Sequence, residues 1–179
     1  MARHVAFLRA INVGGRLVKK EALKAIFEGL ALKDVQTVIA SGNVIFDGGR
    51  SAEATLVKRI EQGLHGALGF EVDTFVRTAA EMARIAAWRP AGCEDLPDDH
   101  NLLVGFLSQP LSAEQAAVLP AMGTAHDALF GHERELWWLC RGRQSDSLLG
   151  SGQPERRLKL RTTFRKSTTV QLIADLLAR

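Results

Sequence analysis

Val35-Gln36-Thr37-Val38-Ile39-Ala40-Ser41-Gly42-Asn43-Val44-Ile45-Phe46 is the stretch that decides the fold. Val35 to Ala40 reads as one strand and Val44 to Phe46 as the next. Ser41-Gly42-Asn43 is the turn between them, made of residues that accept left-handed backbone and bond to their own main chain. Upstream, Val5 to Ile11 is an apolar strand interrupted only by Arg9, and Val13-Gly14-Gly15 ends it. Lys19 to Leu32 has helical spacing through Leu23, Ile26, Phe27 and Leu30. Downstream, Asp47-Gly48-Gly49 breaks the chain, and Ser51 is the expected N-cap of a helix to about Leu68, with Leu56, Ile60, Leu64 and Leu68 as its stripe. Val72 to Val76 is a fourth strand, and Thr78 caps a further helix to about Trp88. The order β-α-β-β-α-β is a ferredoxin-like unit, with one helix added.

Pro90 to Asp99 carries Pro90, Gly92, Pro97 and four acids, which reads as a linker. The pattern restarts beyond it. Leu102 to Leu107 is a strand, Ser112 caps a helix to about Leu119, and Ala125 to Phe130 with Glu135 to Cys140 bracket a hairpin at Gly131-His132. Arg143 to Leu149 is a short helix, Leu158 to Thr162 a strand, and Ser167 to Leu177 a final helix. Phe75-Val76-Arg77-Thr78 and Lys159-Leu160-Arg161-Thr162 end the two halves alike. The expectation is an α+β protein of two ferredoxin-like βαββαβ halves, each followed by an extra helix: residues 1–89, a linker over 90–100, and a second half over 101–179.

The chain has 179 residues, 46% hydrophobic and 24% charged, enough to bury a real interior. No apolar run approaches the roughly 20 residues that cross a bilayer, and Met1 to Arg9 lacks a secretory leader's apolar stretch. A cytoplasmic protein without a membrane partner is the expectation. The two cysteines, Cys93 and Cys140, match no zinc or redox spacing and read as reduced, buried thiols. His4, His65, His100, His126 and His132 form no HExxH pattern, so neither metal nor cofactor is implied. Net charge is only +3, but basic residues cluster at Arg9 to Lys24 and at Arg141 to Lys166, a bias that suits an anion site or a solvated face.

Phe7-Leu8-Arg9-Ala10-Ile11-Asn12-Val13-Gly14-Gly15 closely resembles the opening motif of the domain of unknown function 1697 family. Ile39 to Phe46 is similar to that family's Ser-Gly-Asn-Val hairpin. Thr163-Phe164-Arg165-Lys166-Ser167-Thr168-Thr169-Val170 resembles its Thr-x-Arg-Asn-Trp-x-Thr-Val signature, with Lys166 in place of Asn and Ser167 in place of Trp. The resemblance implies a mostly bacterial, soluble α+β protein and carries no established reaction.

In a ferredoxin-like unit the first two strands run parallel, so the turn after the first meets the hairpin after the second. This makes Arg9, Asn12, Gly14, Gly15, Ser41, Gly42 and Asn43 candidate ligand residues, joined by Arg165 at the C-terminal motif. Exposed N–H groups in glycine turns can hold an anion. The same residues also serve as plain strand and hairpin ends, and the segment is neither a Walker A loop nor GxGxxG. Alternation puts Arg9 on a strand face, where it needs either a structural carboxylate or a bound anion. No catalytic residues are assigned. Three functions follow as alternatives: a binder of small phosphates or carboxylates, a nucleic-acid-binding module using both basic ends, and a structural or regulatory protein-interaction protein. A monomer or weak homodimer is expected.

Overall fold

Val5, Ala6, Phe7 and Leu8 lie at 0–1% exposure on β1 (Arg3–Leu8). Successive strand residues face opposite ways, so both faces of the sheet are covered at this strand. β1 sits between β3 (Asn43–Asp47) and β4 (Thr74–Thr78), and β2 (Lys33–Val38) lies beyond β3. The order is β2-β3-β1-β4 with every neighbouring pair antiparallel. α1 (Lys20–Gly29) joins β1 to β2, α2 (Glu53–Leu68) joins β3 to β4, and α3 (Ala79–Ala87) follows. This is the βαββαβ unit with its extra helix.

The second half repeats it. β5 (His100–Phe106), α4 (Ala113–Met122), β6 (Asp127–His132), β7 (Glu135–Arg141), α5 (Gln153–Leu158), β8 (Thr163–Lys166) and α6 (Ser167–Leu177) follow in turn. Its sheet is antiparallel in the order β6-β7-β5-β8. The structure, a computed structural model, describes residues 2–12, 14–15, 17–39, 42–149 and 152–179. The chain divides into two compact units, Met1–Ile85 with Leu172–Arg179, and Ala86–Gln171. The end of α6 belongs to the first unit, where the Leu176 carbonyl accepts from Arg3 Nη1 at 2.9 Å.

In the first unit Leu56, Ile60 and Leu64 of α2 are wholly buried against Ala6, Val44, Phe46 and Phe27. Each such side chain contributes about 1.5–3 kcal/mol by leaving water. Gly63 costs helix propensity, but a Cβ there would stand 2.6 Å from Leu30 Cδ2; the glycine lets the end of α1 close on α2. Thr78 caps α3 as expected, exchanging bonds with Glu81: Glu81 N–H donates to Thr78 Oγ1 at 3.2 Å and Thr78 N–H to Glu81 Oε2 at 2.8 Å. Ser112 and Gln115 form the same box on α4. The cap of α2 is Ala52 rather than Ser51, with no side-chain bond.

Three expectations change in the second unit. The helix expected over Arg143 to Leu149 is only a 3-10 turn, Gln144–Asp146. The helix lies later, at α5, where Pro154 and Leu158 are buried one turn apart; proline is tolerated in a first helical turn, so Pro154 opens α5 instead of breaking it. The last strand shifts accordingly from Leu158–Thr162 to Thr163–Lys166. The internal match therefore aligns Phe75-Val76-Arg77-Thr78 with Thr163-Phe164-Arg165-Lys166. Gly131-His132 belong to β6, and the hairpin turn is Glu133-Arg134, with Glu133 at φ 48.

Trp137 and Trp138, adjacent on β7, face opposite ways. Trp138 packs in the core with Leu103, Leu129 and Leu136 and stands edge-on to Phe164. Trp137 lies 4.9 Å from Trp88, centroid to centroid. The Trp138 indole Nε1 donates to Asp127 Oδ1 at 2.7 Å, Ser147 Oγ donates to the same oxygen at 2.8 Å, and Thr124 Oγ1 donates to Oδ2 at 3.0 Å. Asp127 is 2% exposed, so this carboxylate is the hub of a buried network whose members lose their partner together. Asp127→Ala is expected to lower stability by about 3 kcal/mol, read as a fall in the urea midpoint by tryptophan fluorescence. A loss below about 0.5 kcal/mol would show that Asp127 does not hold the network.

Candidate functional site

Leu8 N–H donates to the Gly42 carbonyl at 2.8 Å, and the next residue, Arg9, turns its N–H to the Asp73 carbonyl at 2.9 Å. The strand expected to reach Ile11 ends at Leu8, and Arg9 stands just past that end, before the backbone turns left-handed at Ala10. The C-terminal end of β1 does meet the β2–β3 hairpin, as the parallel course of β1 and β2 requires. Arg9 has the carboxylate partner its charge calls for: Nη1 is 3.1 Å from Asp73 Oδ2, with the arginine side chain 36% exposed. A pair this open is worth at most about 1 kcal/mol.

Beyond Arg9 the backbone is unusual. Ala10, Asn12, Gly14 and Gly15 have φ of 58, 60, 60 and 84°. The first two are costly for residues with a Cβ. The cost is offset by ties that close the turn: Asn12 Oδ1 accepts Val18 N–H at 2.8 Å, and Ile11 is buried in the core. A Cβ on Gly42, at φ 72, would stand 3.1 Å from Leu8 Cβ and 3.3 Å from Ile11 Cβ, so Gly42 is required by both conformation and packing. Asn43 is fully buried and straps the hairpin, Nδ2 donating to the Val38 carbonyl at 3.0 Å. Ile39, at the mouth of the same hairpin, is half exposed at φ 56, a rare state for a β-branched residue. Ser41 lies outside the described residues.

Gly14 and Gly15 differ from Gly42. Both are exposed, and a Cβ on either would meet nothing within 4 Å. They serve backbone conformation alone. Lys19 and Lys20, exposed at the far side of the turn, add positive charge. The candidate residues thus divide: Asn12, Gly42 and Asn43 build the turn, while Arg9, Gly14 and Gly15 face its surface. Asp73 was missed in the sequence; its signal was an acid just before the fourth strand, which the topology sets beside the end of the first.

Arg165 lies in the second unit, on β8, at 8% exposure. Its Nη1 donates to Thr163 Oγ1 and to the Phe164 carbonyl, both at 2.8 Å. Burial pushes its pKa down to about 10, so it remains a cation at neutral pH. These bonds give it a place in the sheet. The altered signature residues do reach a surface: Lys166, Ser167 and Thr168 line a cleft of about 340 Å³ with His100, whose Nδ1 lies 2.9 Å from Asp99 Oδ1. Among the described residues no cluster of His, Cys, Asp or Glu is arranged to hold a metal ion, and no helix is long and apolar enough to cross a membrane.

Cys93 and Cys140 are buried and free. Burial, the larger cause in each, pushes both thiols up; Glu94 adds to it at Cys93, and Asp127 and Asp146 at Cys140. The thiolate is the reactive form. Folded protein at pH 8 should therefore resist iodoacetamide at both positions, and urea should expose them, as read by intact mass. Rapid labelling of either in the folded protein would contradict the burial described.

Residues 1–137 match the family described as "Protein of unknown function (DUF1697)". Among curated proteins none matches. One similar solved structure is that of the conserved bacterial protein SP0830 from Streptococcus pneumoniae, with a TM-score of 0.78 at 22% identity over 100% of this chain and 99% of that one. At that identity the likeness speaks for the fold, including the two-half arrangement. The family match spans the β1 turn, the hairpin and β5 and β6 of the second sheet, and the chain belongs to the DUF1697 family.

Proposed function

We propose that the protein binds a small anionic compound, a phosphate or a carboxylate, at the turn that follows β1. The observation that carries this reading is the run of left-handed residues Ala10, Asn12, Gly14 and Gly15. Left-handed residues alternating with ordinary ones turn successive N–H groups toward one point, a concavity that suits an anion. Ile11, between two of them, supplies the alternation. Strain of this kind collects at functional sites, and here the buried Ile11 and Asn43 and the half-buried Asn12 hold the turn while Gly14 and Gly15 stay open. Arg9, oriented by Asp73, and the exposed Lys19 and Lys20 supply charge at the rim. The reading is of a binding site; no group at the turn is assigned a chemical step. We further assign the protein to the cytoplasm, where two buried free thiols persist reduced, as a monomer or weak homodimer.

Thermal melting by circular dichroism, with inorganic phosphate, a nucleoside monophosphate and citrate as probes, tests the site. A bound anion at 100 times its dissociation constant stabilises by about 2.7 kcal/mol. Arg9→Met is expected to melt within about 1 kcal/mol of wild type and to lose most of the anion-dependent shift; Gly15→Val, strained at φ 84, should lose it as well. No shift with any probe, or a full shift in both variants, would sink the reading.

A further inference from the structure

The two halves align strand for strand. Arg77 stands opposite Val5 in the first sheet, and Arg165 opposite Val104 in the second. Each guanidinium donates from Nη1 to the carbonyl of the residue before it, at 2.8 Å. Counting along the paired strands from these anchors sets Leu107 in the place of Leu8, Ser108 in that of Arg9 and Arg161 in that of Asp73. The first half has an ion pair at this point. In the second half the acid's position holds an arginine and the arginine's position holds a serine, so a neutral pair is replaced by a net positive one.

At this spot the second unit has a cleft of about 300 Å³, the low end of the size range for small-molecule pockets. Lys159 and Arg161 line it together with Ser108, Gln109 and the apolar Leu111 and Leu160. None of the described residues lining it is acidic. Glu155, on the helix just before, turns Oε1 to the Thr162 N–H at 3.2 Å. Lys159 caps α5 in the left-handed conformation, φ 52, so its position is set by the end of the helix.

We propose that this cleft is a second anion site, separate from the β1 turn, and that it takes a phosphate monoester carried on a small apolar body. Lys159 and Arg161 supply two cations for the dianion, and a guanidinium fits phosphate oxygens in pairs. Ser108 and Gln109 add neutral donors. Leu111 and Leu160 cover the apolar part. The first-half turn offers main-chain N–H groups and the cleft offers side chains, so the two sites recognise anions by different means.

Phenyl phosphate is the probe, titrated calorimetrically into the whole chain at low ionic strength, with inorganic phosphate and benzyl alcohol as controls that each lack one feature. Wild type should bind phenyl phosphate more tightly than inorganic phosphate and should not bind benzyl alcohol. Lys159→Asn keeps a residue that tolerates left-handed backbone, and Arg161→Gln alters an exposed position; each should weaken binding about tenfold. Ser108→Arg combined with Arg161→Asp installs the first half's ion pair and should abolish the preference for phenyl phosphate over inorganic phosphate while the melting temperature is kept. Arg9→Met removes what the β1 turn contributes and should keep the preference for phenyl phosphate over inorganic phosphate. Failure of wild type to bind at millimolar concentration, or wild-type affinity in both single variants, overturns the proposal. Loss of binding in Arg9→Met alone also overturns it, and leaves the β1 turn as the anion site. Loss of that preference in Arg161→Gln, with the preference kept in Arg9→Met, supports the cleft whatever becomes of the turn.

Discussion

Val5 to Leu8 on β1 and Leu102 to Phe106 on β5 are buried without a break, so the central strand of each sheet is closed to water on both sides. A strand in that position has no polar face to show. It reads as an uninterrupted apolar run, and its main-chain groups find all their partners in the ladder. The demand extends to the outer strand next to it. Arg77 and Arg165 occupy matching buried positions there, at 1% and 8% exposure, and each satisfies part of its donor fork on a main-chain carbonyl. A guanidinium is costly to bury; the recurrence of this one in both halves marks it as part of the architecture.

The fold was legible where periodicity and caps agreed. Leu56, Ile60 and Leu64 announced α2, Thr78 the start of α3 and Ser112 that of α4, and the structure adds Glu81 and Gln115 as the reciprocal partners of the two caps. Legibility failed where a residue has two conformational meanings. The short helix expected over Arg143 to Leu149 lies at Gln153–Leu158, where Pro154 sits in the first turn. Arg9 to Ile11 reads as more strand, yet Ala10 is left-handed, and nothing in an alanine announces that. Arg9 N–H still reaches Asp73 in the register of β1 and β4, and the ladder stops where Ala10 turns left-handed.

The candidate site was legible in outline and not in division of labour. Topology brings the β1 turn to the hairpin, and the Leu8 to Gly42 bond shows it. Which residues hold the turn and which face outward depends on contacts such as Asn12 to Val18 and Asn43 to Val38, made by polar side chains whose sequence pattern suits either role. The second half gave no such hint, because its cleft rests on Ser108 and Arg161, neighbours only through the register of β5 and β8.

The arrangement of tryptophans reaches beyond packing. There are three tryptophans and no tyrosine in the chain, and Trp88, Trp137 and Trp138 all fall within Ala86–Gln171. Ultraviolet emission is therefore a private channel of the second unit. His132 lies flat on Trp88 with ring centroids 4.2 Å apart, so that channel is also tuned by one imidazole. An event confined to the first unit leaves the emitters in place and passes unseen, and the two halves, alike in backbone, are optically distinct.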